Sequence, residues 1–282
     1  MSTKVKVALF QMDCKIGATL ENIEKCCKQI AVAAAEGCAL IVFPECALSG
    51  YGVTSKEEAL SFAIAADGPE IQILIDACKA HNIMAVTGYT EVRDGEVYNG
   101  ACLLGPDGLL LNYNKMHMPY IGLDKFAAKG PAPLPPVETP IGKIALLICY
   151  DIRYPELCRY YATHGADMII CPTNWPLGSE FTRDVLPMAR SFENMVYFLA
   201  CNRTGIERGG KYIGGSRVVG TNGRIIVQAK EGEDAEEMLM TEIDVALARQ
   251  KYFYSKEGDW SIDAEKDRRP DVFSCELVEQ AK

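Results

Sequence analysis

Three apolar segments of the chain end in side chains that could take part in covalent chemistry. Glu45 closes CALIVFPE, Lys115 closes LLLNYNK, and Cys149 follows the apolar run of IALLICYD. A cysteine is a good nucleophile only as the thiolate, and a buried carboxylate with a raised pKa can accept the thiol proton. A lysine ammonium can stabilise the oxyanion of a tetrahedral intermediate, helped by the backbone N–H of Tyr150. These residue types are sufficient for cysteine-dependent hydrolysis of a carbon–nitrogen bond.

The same three side chains also allow a structural interpretation. Glu45 and Lys115 could form a partly buried ion pair with no part in catalysis. Cys149 is one of twelve cysteines, most of which lie in apolar patterns typical of small buried side chains in a reducing compartment. Spacing alone leaves the catalytic and the structural interpretations open.

Histidine is a common partner of a catalytic cysteine, and the chain contains three histidines. His81 and His164 fall near the C-terminal ends of predicted helices, where an imidazole commonly interacts with the helix dipole. His117 follows Lys115 by two residues and could line the same pocket. We rank His117 below Glu45 as the base for Cys149.

Continuous apolar runs rich in β-branched residues predict strands that are buried on both faces. Such runs occupy residues 5–12, 39–43, 84–90, 100–104, 109–113, 144–148, 168–171, 196–201, 215–220, 224–229 and 238–243. Amphipathic patterns predict helices at residues 21–36, 69–81, 155–164 and 181–194, the last of them interrupted near Pro187. So many consecutive strands argue against a strictly parallel, doubly wound sheet. The order fits an α/β fold in which two mixed sheets pack face to face with helices outside.

The elements must bring the three head groups to one place. Functional side chains gather at the ends of strands, where rigid elements hold them and loops can vary. We expect the strands before Glu45, Lys115 and Cys149 to be parallel neighbours, so that their ends share one pocket. The Pro-rich stretch 130–142 has apolar strands on both sides and predicts a surface loop, so we place no domain boundary there.

Composition excludes several classes of function. Among the 282 residues the net charge is −9 and no Lys/Arg-rich run occurs, which argues against nucleic acid or an anionic membrane as a partner. The N-terminal residues do not form a signal peptide, and no apolar run approaches the ~20 residues that span a bilayer. We therefore expect a cytoplasmic protein. The cysteines form no C-x-x-C pair and the histidines are scattered, so we predict no metal site.

Six segments, in order, resemble sequence blocks of the nitrilase, or carbon–nitrogen hydrolase, superfamily. They are FPECALSGYG (43–52), NKMHMP (114–119), ICYDIRYPEL (148–157), CPTNWP (171–176), ARSFENMVYFLACNRTG (189–205) and GGSRVVGTNGRIIVQA (214–229). The resemblance covers nearly the whole chain. It implies an α-β-β-α sandwich, in agreement with the two-sheet interpretation. It also implies that Glu45, Lys115 and Cys149 are the catalytic residues.

The resemblance also implies properties beyond the fold. Residues 1–282 are expected to form a single domain that needs no cofactor and acts on a small-molecule amide. Members of the superfamily commonly pair through the helix that follows the cysteine, so we expect a homodimer or a larger homo-oligomer. Residues after about 251 carry aromatic side chains among charges, and we expect this C-terminal extension to contact a partner subunit.

One stretch departs from the superfamily pattern. Many members carry a second glutamate after the lysine segment, whereas PYIGLDKFAAKG (119–130) contains none. Asp124 is the nearest acid. It could replace the missing glutamate, or it could be an ordinary residue of a surface loop, and the sequence leaves both interpretations open.

The residues around Cys149 bear on the substrate. The segment CYDIRYPE resembles the amidase branches, including those that act on ω-amides. We expect a small aliphatic amide or an ω-carboxamide to be hydrolysed to a carboxylate and ammonia through a thioester on Cys149. An N-carbamoyl-amide hydrolase, a nitrilase and a non-catalytic binding protein of the same fold are the alternatives, in that order. Substrate-binding candidates, for which ordinary packing is the competing explanation, are Tyr51, Tyr120, Asp124, Tyr150, Asn174 and Trp175.

Overall fold

A computed structural model describes residues 3–273 of the chain. Its strands, β1 to β16 in chain order, are Lys4–Gln11, Leu40–Val42, Met84–Arg93, Glu96–Gly105, Gly108–Asn114, Val137–Thr139, Gly142–Leu146, Met168–Thr173, Tyr197–Asn202, Ile206–Glu207, Gly210–Lys211, Arg217–Val219, Ile225–Gln228, Glu237–Asp244, Tyr252–Tyr254 and Ser261–Asp263. Its α-helices, α1 to α5, are Thr19–Ala35, Lys56–Phe62, Pro69–His81, Pro155–Thr163 and Glu180–Asn194. Short 3-10 helices occupy Gly122–Lys125, Cys149–Arg153 and Val245–Arg249.

Two six-stranded mixed sheets make up the sandwich. The first has the order β14-β1-β2-β3-β4-β5, with β1, β2 and β3 parallel and the other neighbours antiparallel. The second has the order β13-β12-β9-β8-β7-β6, with β7, β8 and β9 parallel. This arrangement confirms the predicted α/β fold of two mixed sheets.

Alternation along each strand explains why the strands are apolar throughout. On β1, Val7 and Leu9 belong to the core that joins the two sheets, whereas Ala8 and Phe10 belong to a second core shared with α1 and α3. Side chains of a strand point alternately to opposite faces, so a strand covered on both faces has no polar side. The second sheet is covered in the same way by α4, whose Leu157, Cys158 and Tyr161 lie in the first core.

Most elements lie where the sequence predicts them, with two exceptions among the helices. The predicted interruption near Pro187 is wrong, because α5 runs unbroken from Glu180 to Asn194 with Pro187 inside it. The short helix α2 was not predicted; Ser55 caps its N-terminus and accepts a hydrogen bond from the Glu58 N–H.

The expectation that three neighbouring parallel strands carry the head groups is also wrong in part. The strands β2 and β5 point the same way but are separated by β3 and β4, and β7 lies in the other sheet. Face-to-face packing of the sheets, and not adjacency within one sheet, brings the ends of these strands together.

After Lys251, residues Tyr252–Asp263 form the hairpin β15–β16, whose apolar side chains are exposed. Lys251 anchors it by donating to the carbonyl oxygens of Asn194 (3.0 Å) and Met195 (2.7 Å) at the C-terminal end of α5. The expected contact of this extension with a partner subunit stays a prediction. Within residues 3–273, no helix has the length and hydrophobicity to cross a bilayer.

Close backbone packing behind Glu45 generates a prediction about Gly88 of β3. A methyl group there would lie 2.6 Å from the Cα of Glu45 and 2.7 Å from the carbonyl oxygen of Pro44. We expect Gly88→Ala to lower the free energy of unfolding by about 1–3 kcal/mol, since backbone atoms cannot move aside as a side chain can.

The matched control is Gly105→Ala, where the nearest atom is the end of the Leu110 side chain at 3.0 Å. Urea denaturation of both variants measures the difference. An unfolding free energy for Gly88→Ala that equals or exceeds that of Gly105→Ala contradicts the prediction.

Candidate active site

A fully buried lysine lies at the centre of the site. Lys115 follows β5, and its Nζ lies 2.8 Å from Glu45 Oε1 and 2.6 Å from Asp124 Oδ2. The side chains of Lys115 and Glu45 are 0% exposed. An ammonium group cannot be buried cheaply without partners, and here two carboxylates provide them.

A second layer of hydrogen bonds fixes both carboxylates. Asn99 Nδ2 donates to Glu45 Oε1 and to Asp124 Oδ1, each at 2.8 Å. The Tyr51 hydroxyl donates to Asp124 Oδ2 at 2.8 Å. Asn99 was not predicted, although a buried asparagine inside the otherwise apolar strand VYNGACLL was a usable signal.

The structure decides between the two interpretations of Asp124. Its residue range, Gly122–Lys125, forms a 3-10 helix that turns the carboxylate inward, and Asp124 is 5% exposed. Its contacts with Lys115, Asn99 and Tyr51 exclude an ordinary residue of a surface loop. In this chain, which lacks a glutamate at 119–130, the acid beside the lysine is Asp124.

The charges within this cluster shift the pKa values of its members. Burial raises the pKa of Glu45, Asp124 raises it further, and Lys115 only partly opposes this. Burial lowers the pKa of Lys115, but Asp124 and Glu45 outweigh it and hold that pKa well above its usual value. The lysine is therefore cationic, while the glutamate binds a proton more readily than a glutamate in water. Glu45 Oε2 is buried and has no hydrogen-bond partner.

Cys149 lies on a strained turn at the end of the second sheet's apolar run. Its φ is +47°, in the left-handed region that residues with a Cβ seldom adopt. Cys46, directly after Glu45, has a φ of +49°. Strained backbone of this kind persists only where the surroundings enforce it, and it is concentrated at functional sites. Here the two strained residues are the thiol itself and the neighbour of the buried acid.

The environment of the Cys149 thiol favours the neutral form. Burial raises its pKa to about 12, Glu45 acts in the same direction, and Lys115 opposes them. Thr173 and the backbone N–H of Asn174, at the end of β8, favour the thiolate. The thiol is thus close enough to Glu45 and Lys115 to respond to both charges.

A cavity of about 560 Å³ opens over Cys149. Four of the predicted substrate-binding residues line it: Tyr51, Tyr150, Asn174 and Trp175. Asn174 and Trp175 are each 2% exposed, and both amide atoms of Asn174 and the indole N–H of Trp175 lack partners. Buried polar groups without partners are rare, and those in a cavity wall are available to a ligand.

The other two substrate-binding candidates, Tyr120 and Asp124, do not line the cavity. The Tyr120 side chain is 87% exposed and lies outside the cavity lining, with the Lys125 ammonium 5.5 Å from its ring centroid. A substrate contact by Tyr120 has no support in this arrangement. His117 does not line the cavity either, because its Nδ1 faces Asp151 Oδ1 at 2.7 Å.

Two cationic side chains at the cavity wall were not predicted. Lys125 and Arg153 line the cavity, are exposed, and form no ion pair with any described residue. A third cation, Arg208, is held by Glu58 and by the carbonyl oxygen of Gly52 (3.0 Å). In the part of the chain that the structure describes, no group of three His, Cys, Asp or Glu side chains could hold a metal ion.

The fold and the site define a class before any comparison is made: an α/β fold of two packed sheets in which a thiol lines a cavity and a buried acid–lysine pair lies close enough to shift the pKa of that thiol. A sequence profile described as carbon-nitrogen hydrolase matches residues 6–252. The chain belongs to the carbon–nitrogen hydrolase family, and it is an enzyme of that class. The predicted superfamily is thereby confirmed.

Individual relatives are similar over nearly their whole length. A nitrilase of Pyrococcus abyssi is 34% identical over 272 residues, which is 95% of this chain and 99% of the relative. The omega-amidase NIT2-A of Xenopus laevis is 30% identical over 268 residues, 91% of this chain and 92% of the relative. The crystal structure of the C. elegans NitFhit protein has a TM-score of 0.85 at 26% identity, and the match covers 100% of this chain and 69% of that one.

The charge of Asp124 leads to a prediction about pH dependence. Asp124→Asn removes a negative charge that raises the pKa of Glu45, so that pKa falls and Glu45 stays ionised to lower pH. The acid limb of the pH profile for alkylation of Cys149 by iodoacetamide should therefore move to lower pH. Peptide mass spectrometry of the alkylated Cys149 peptide gives the rate at each pH.

The control for this prediction is Asp107→Asn. Asp107 is an exposed acid in the β4–β5 turn, at the end of the hairpin remote from Lys115. Its profile should match the wild type. An acid limb that stays in place or moves upward in Asp124→Asn contradicts the assigned direction.

Proposed function

We propose that this enzyme hydrolyses the carboxamide of a small molecule to a carboxylate and ammonia, through a thioester on Cys149. The observation that carries the proposal is the state of Glu45. One of its carboxylate oxygens is bound by Lys115 and Asn99, and the other, Oε2, is buried without a partner in the neighbourhood of the thiol. A buried carboxylate with an unpaired oxygen and a raised pKa has the properties of a general base.

The first half of the reaction forms the thioester. Glu45 accepts the proton of the Cys149 thiol while the sulfur attacks the amide carbon, and the carbonyl π electrons move to oxygen. Lys115 and the backbone N–H of Tyr150 stabilise the resulting oxyanion. As the oxyanion collapses, the carbon–nitrogen bond breaks and Glu45 delivers its proton to the nitrogen, which leaves as ammonia.

The second half returns the enzyme to its starting state. Glu45, now ionised, accepts a proton from water as the water oxygen attacks the thioester carbon. Collapse of this second tetrahedral intermediate breaks the carbon–sulfur bond, and Glu45 returns the proton to the thiolate. The product is the carboxylic acid, which ionises in water, so one water is consumed and one ammonia is released.

The electrostatics of the buried cluster support a proton carrier. One ammonium and two carboxylates would give this fully buried cluster a net charge of −1, and burial disfavours that state. A proton taken up by Glu45 makes the cluster neutral. The same group can therefore hold the proton within each half of the reaction, between its uptake and its delivery, at little cost, which a carboxylate in water could not do near neutral pH.

We further propose that the preferred substrate carries a carboxylate at the end remote from the amide. The protein has a net charge of −9, yet the cavity wall carries two cations, Lys125 and Arg153, that no described acid neutralises. The one acid in the wall, Glu207, is already paired with the buried Arg203 at 3.0 Å. A local positive field in an acidic protein attracts and orients an anionic ligand. The name omega-amidase of one relative is consistent with this substrate class.

A panel experiment tests the proposed reaction. We expect ammonia without carbon dioxide from small carboxamides, and we expect Cys149→Ala to lower the rate by roughly 10⁴-fold or more, since nucleophile deletions have effects of that size. Ammonia and carbon dioxide are assayed together for carboxamides, N-carbamoyl compounds and nitriles. Circular dichroism and thermal unfolding establish that the variant is folded.

The matched control is Cys38→Ala, which removes a buried thiol at the end of β2 opposite to Glu45 and should leave the rate of ammonia release unchanged. Release of carbon dioxide with ammonia would assign the enzyme to the carbamoyl hydrolases, and turnover of nitriles alone would make it a nitrilase. Full activity in folded Cys149→Ala contradicts the mechanism in every version.

The proposed carboxylate subsite gives a separate prediction. We expect Arg153→Gln and Lys125→Gln each to raise KM for an ω-carboxylate amide roughly tenfold, because each removes one charged partner of the substrate. The KM for a neutral amide of equal length should change little. Initial-rate kinetics with the two substrates measure the difference between the two changes in KM.

Lys129→Gln is the control for the carboxylate subsite, since Lys129 is exposed and lies outside the cavity lining. It should leave both KM values unchanged. Equal effects of Arg153→Gln on the anionic and the neutral amide would refute charge recognition and leave the amidase proposal intact.

A further inference from the structure

A second buried carboxylate, which the proposed reaction does not use, lies next to the thiol. Asp151 follows Cys149 by two residues and is 0% exposed. Its Oδ2 accepts hydrogen bonds from the Tyr113 hydroxyl (2.7 Å) and from the backbone N–H of Ile148 (3.1 Å). Its Oδ1 accepts from the backbone N–H of His117 (2.9 Å) and contacts His117 Nδ1 at 2.7 Å. The Asp151 carboxylate thus has four hydrogen-bonding contacts, none of them to Lys or Arg. Its place is therefore fixed by hydrogen bonds and not by an ion pair with Lys or Arg.

These partners come from two parts of the chain that the proposed reaction must align. Ile148 belongs to the turn that carries Cys149. Tyr113 and His117 lie two residues before and two residues after Lys115. Among residues 3–273, no backbone–backbone hydrogen bond outside the helices and strands joins residues 115–118 to residues 148–154. The side chain of Asp151 is therefore the hydrogen-bonding link between the thiol turn and the lysine segment.

His117 strengthens the same link by a second contact. A carboxylate only accepts hydrogen bonds, so the Nδ1 atom that faces Asp151 carries a hydrogen. The imidazole ring also stacks on the ring of Tyr154, with centroids 3.8 Å apart and an interplanar angle of 13°. Tyr154 ends the 3-10 helix that begins at Cys149. The lysine segment is thus held to both ends of the thiol turn.

We propose that Asp151 and His117 are positioning residues that set the thiol of Cys149 relative to the ammonium of Lys115. The inference rests on the proposed roles of those two groups and deepens them. The oxygens of Asp151 are already bound by Tyr113, Ile148 and His117, so Asp151 and His117 are given no direct part in the proposed steps. Their effect is on the geometry of the attack, where a displacement of about 1 Å can cost roughly 100-fold in rate.

The experiment compares Asp151→Asn, His117→Ala and His117→Asn with the wild type. Asp151→Asn replaces one carboxylate oxygen by an NH₂ group, which then faces an N–H or O–H donor of Tyr113, Ile148 or His117. His117→Ala removes the imidazole. His117→Asn keeps a donor, because the asparagine Nδ2 is bonded to Cγ just as the histidine Nδ1 is. The readouts are the rate of Cys149 alkylation by iodoacetamide as a function of pH, and the kcat and KM for an active carboxamide.

We expect Asp151→Asn and His117→Ala each to lower kcat and the alkylation rate at neutral pH by roughly 10- to 100-fold, with KM changed less than about threefold. His117→Asn should recover most of the loss. The double variant should be no worse than Asp151→Asn alone, because both substitutions break the same link.

The control is Asp167→Asn, which removes another buried carboxylate. Asp167 directly precedes β8 and is bound by Arg249 at 2.8 Å. Thr173, which lies near the thiol, is the last residue of β8. The control residue and the thiol therefore lie at opposite ends of this strand. We expect Asp167→Asn to lower the unfolding temperature without changing the alkylation profile of Cys149. If Asp151→Asn does not fold, the comparison of His117→Ala with His117→Asn decides, since His117 is partly exposed.

Wild-type rates in His117→Ala, or an equal loss of alkylation in Asp167→Asn and Asp151→Asn, would overturn the inference. The alkylation assay needs no substrate. If the wild type hydrolyses no amide, only the proposed function is contradicted. If the wild type is active and His117→Ala has wild-type alkylation and kcat, only the positioning role is contradicted.

Discussion

The burial of one ammonium group between two carboxylates is the constraint on which the rest of the site depends. Lys115 has no access to water, so Glu45 and Asp124 must remain within hydrogen-bond distance of it. Removing Lys115 leaves two buried carboxylates without a countercharge, and an uncompensated buried charge typically costs about 3–5 kcal/mol. Asn99 holds both carboxylates and Tyr51 holds one, so the surplus negative charge is fixed in place.

That surplus charge is what makes Glu45 useful. Its pKa rises because burial and Asp124 both disfavour the ionised form, and its charge in turn helps to raise the pKa of the Cys149 thiol. A thiol and a carboxylate with raised pKa values can exchange a proton with a smaller difference in free energy than the same groups in water. Two features are proposed to fix the thiol of Cys149 relative to the carboxylate of Glu45. One is the pair of strained turns at Cys46 and Cys149, and the other is the hydrogen-bonding link through Asp151.

Sequence patterns predicted the two buried sheets and their covering helices well. They predicted less completely how the strands are ordered and how the site residues come together. Strands buried on both faces produce long apolar runs, and those runs are visible without any structure. The pairing order is not local in sequence, so the strands that carry Glu45, Lys115 and Cys149 could be identified but not placed in their sheets. Pro187 was taken to interrupt a helix that tertiary packing in fact maintains.

The residues that the sequence left undecided share one property: their role depends on contacts from distant parts of the chain. Asp124 could be surface or site until its 3-10 helix was seen to face Lys115. Asn99 and Asp151 act through hydrogen bonds to segments 25 or more residues away. Tyr120 adjoins a functional segment but points away from the cavity, because neighbours in sequence need not share a face.

The most direct test of the account is the mass of the enzyme during turnover. Wild type is mixed with an ω-carboxylate amide and quenched in acid at successive millisecond times, and peptides are analysed by mass spectrometry, with a parallel reaction in hydroxylamine. The account predicts that the Cys149 peptide gains the substrate mass less one ammonia, and that hydroxylamine diverts product to the hydroxamate. Full turnover with an unmodified Cys149 peptide at every time and no hydroxamate would contradict a thioester mechanism.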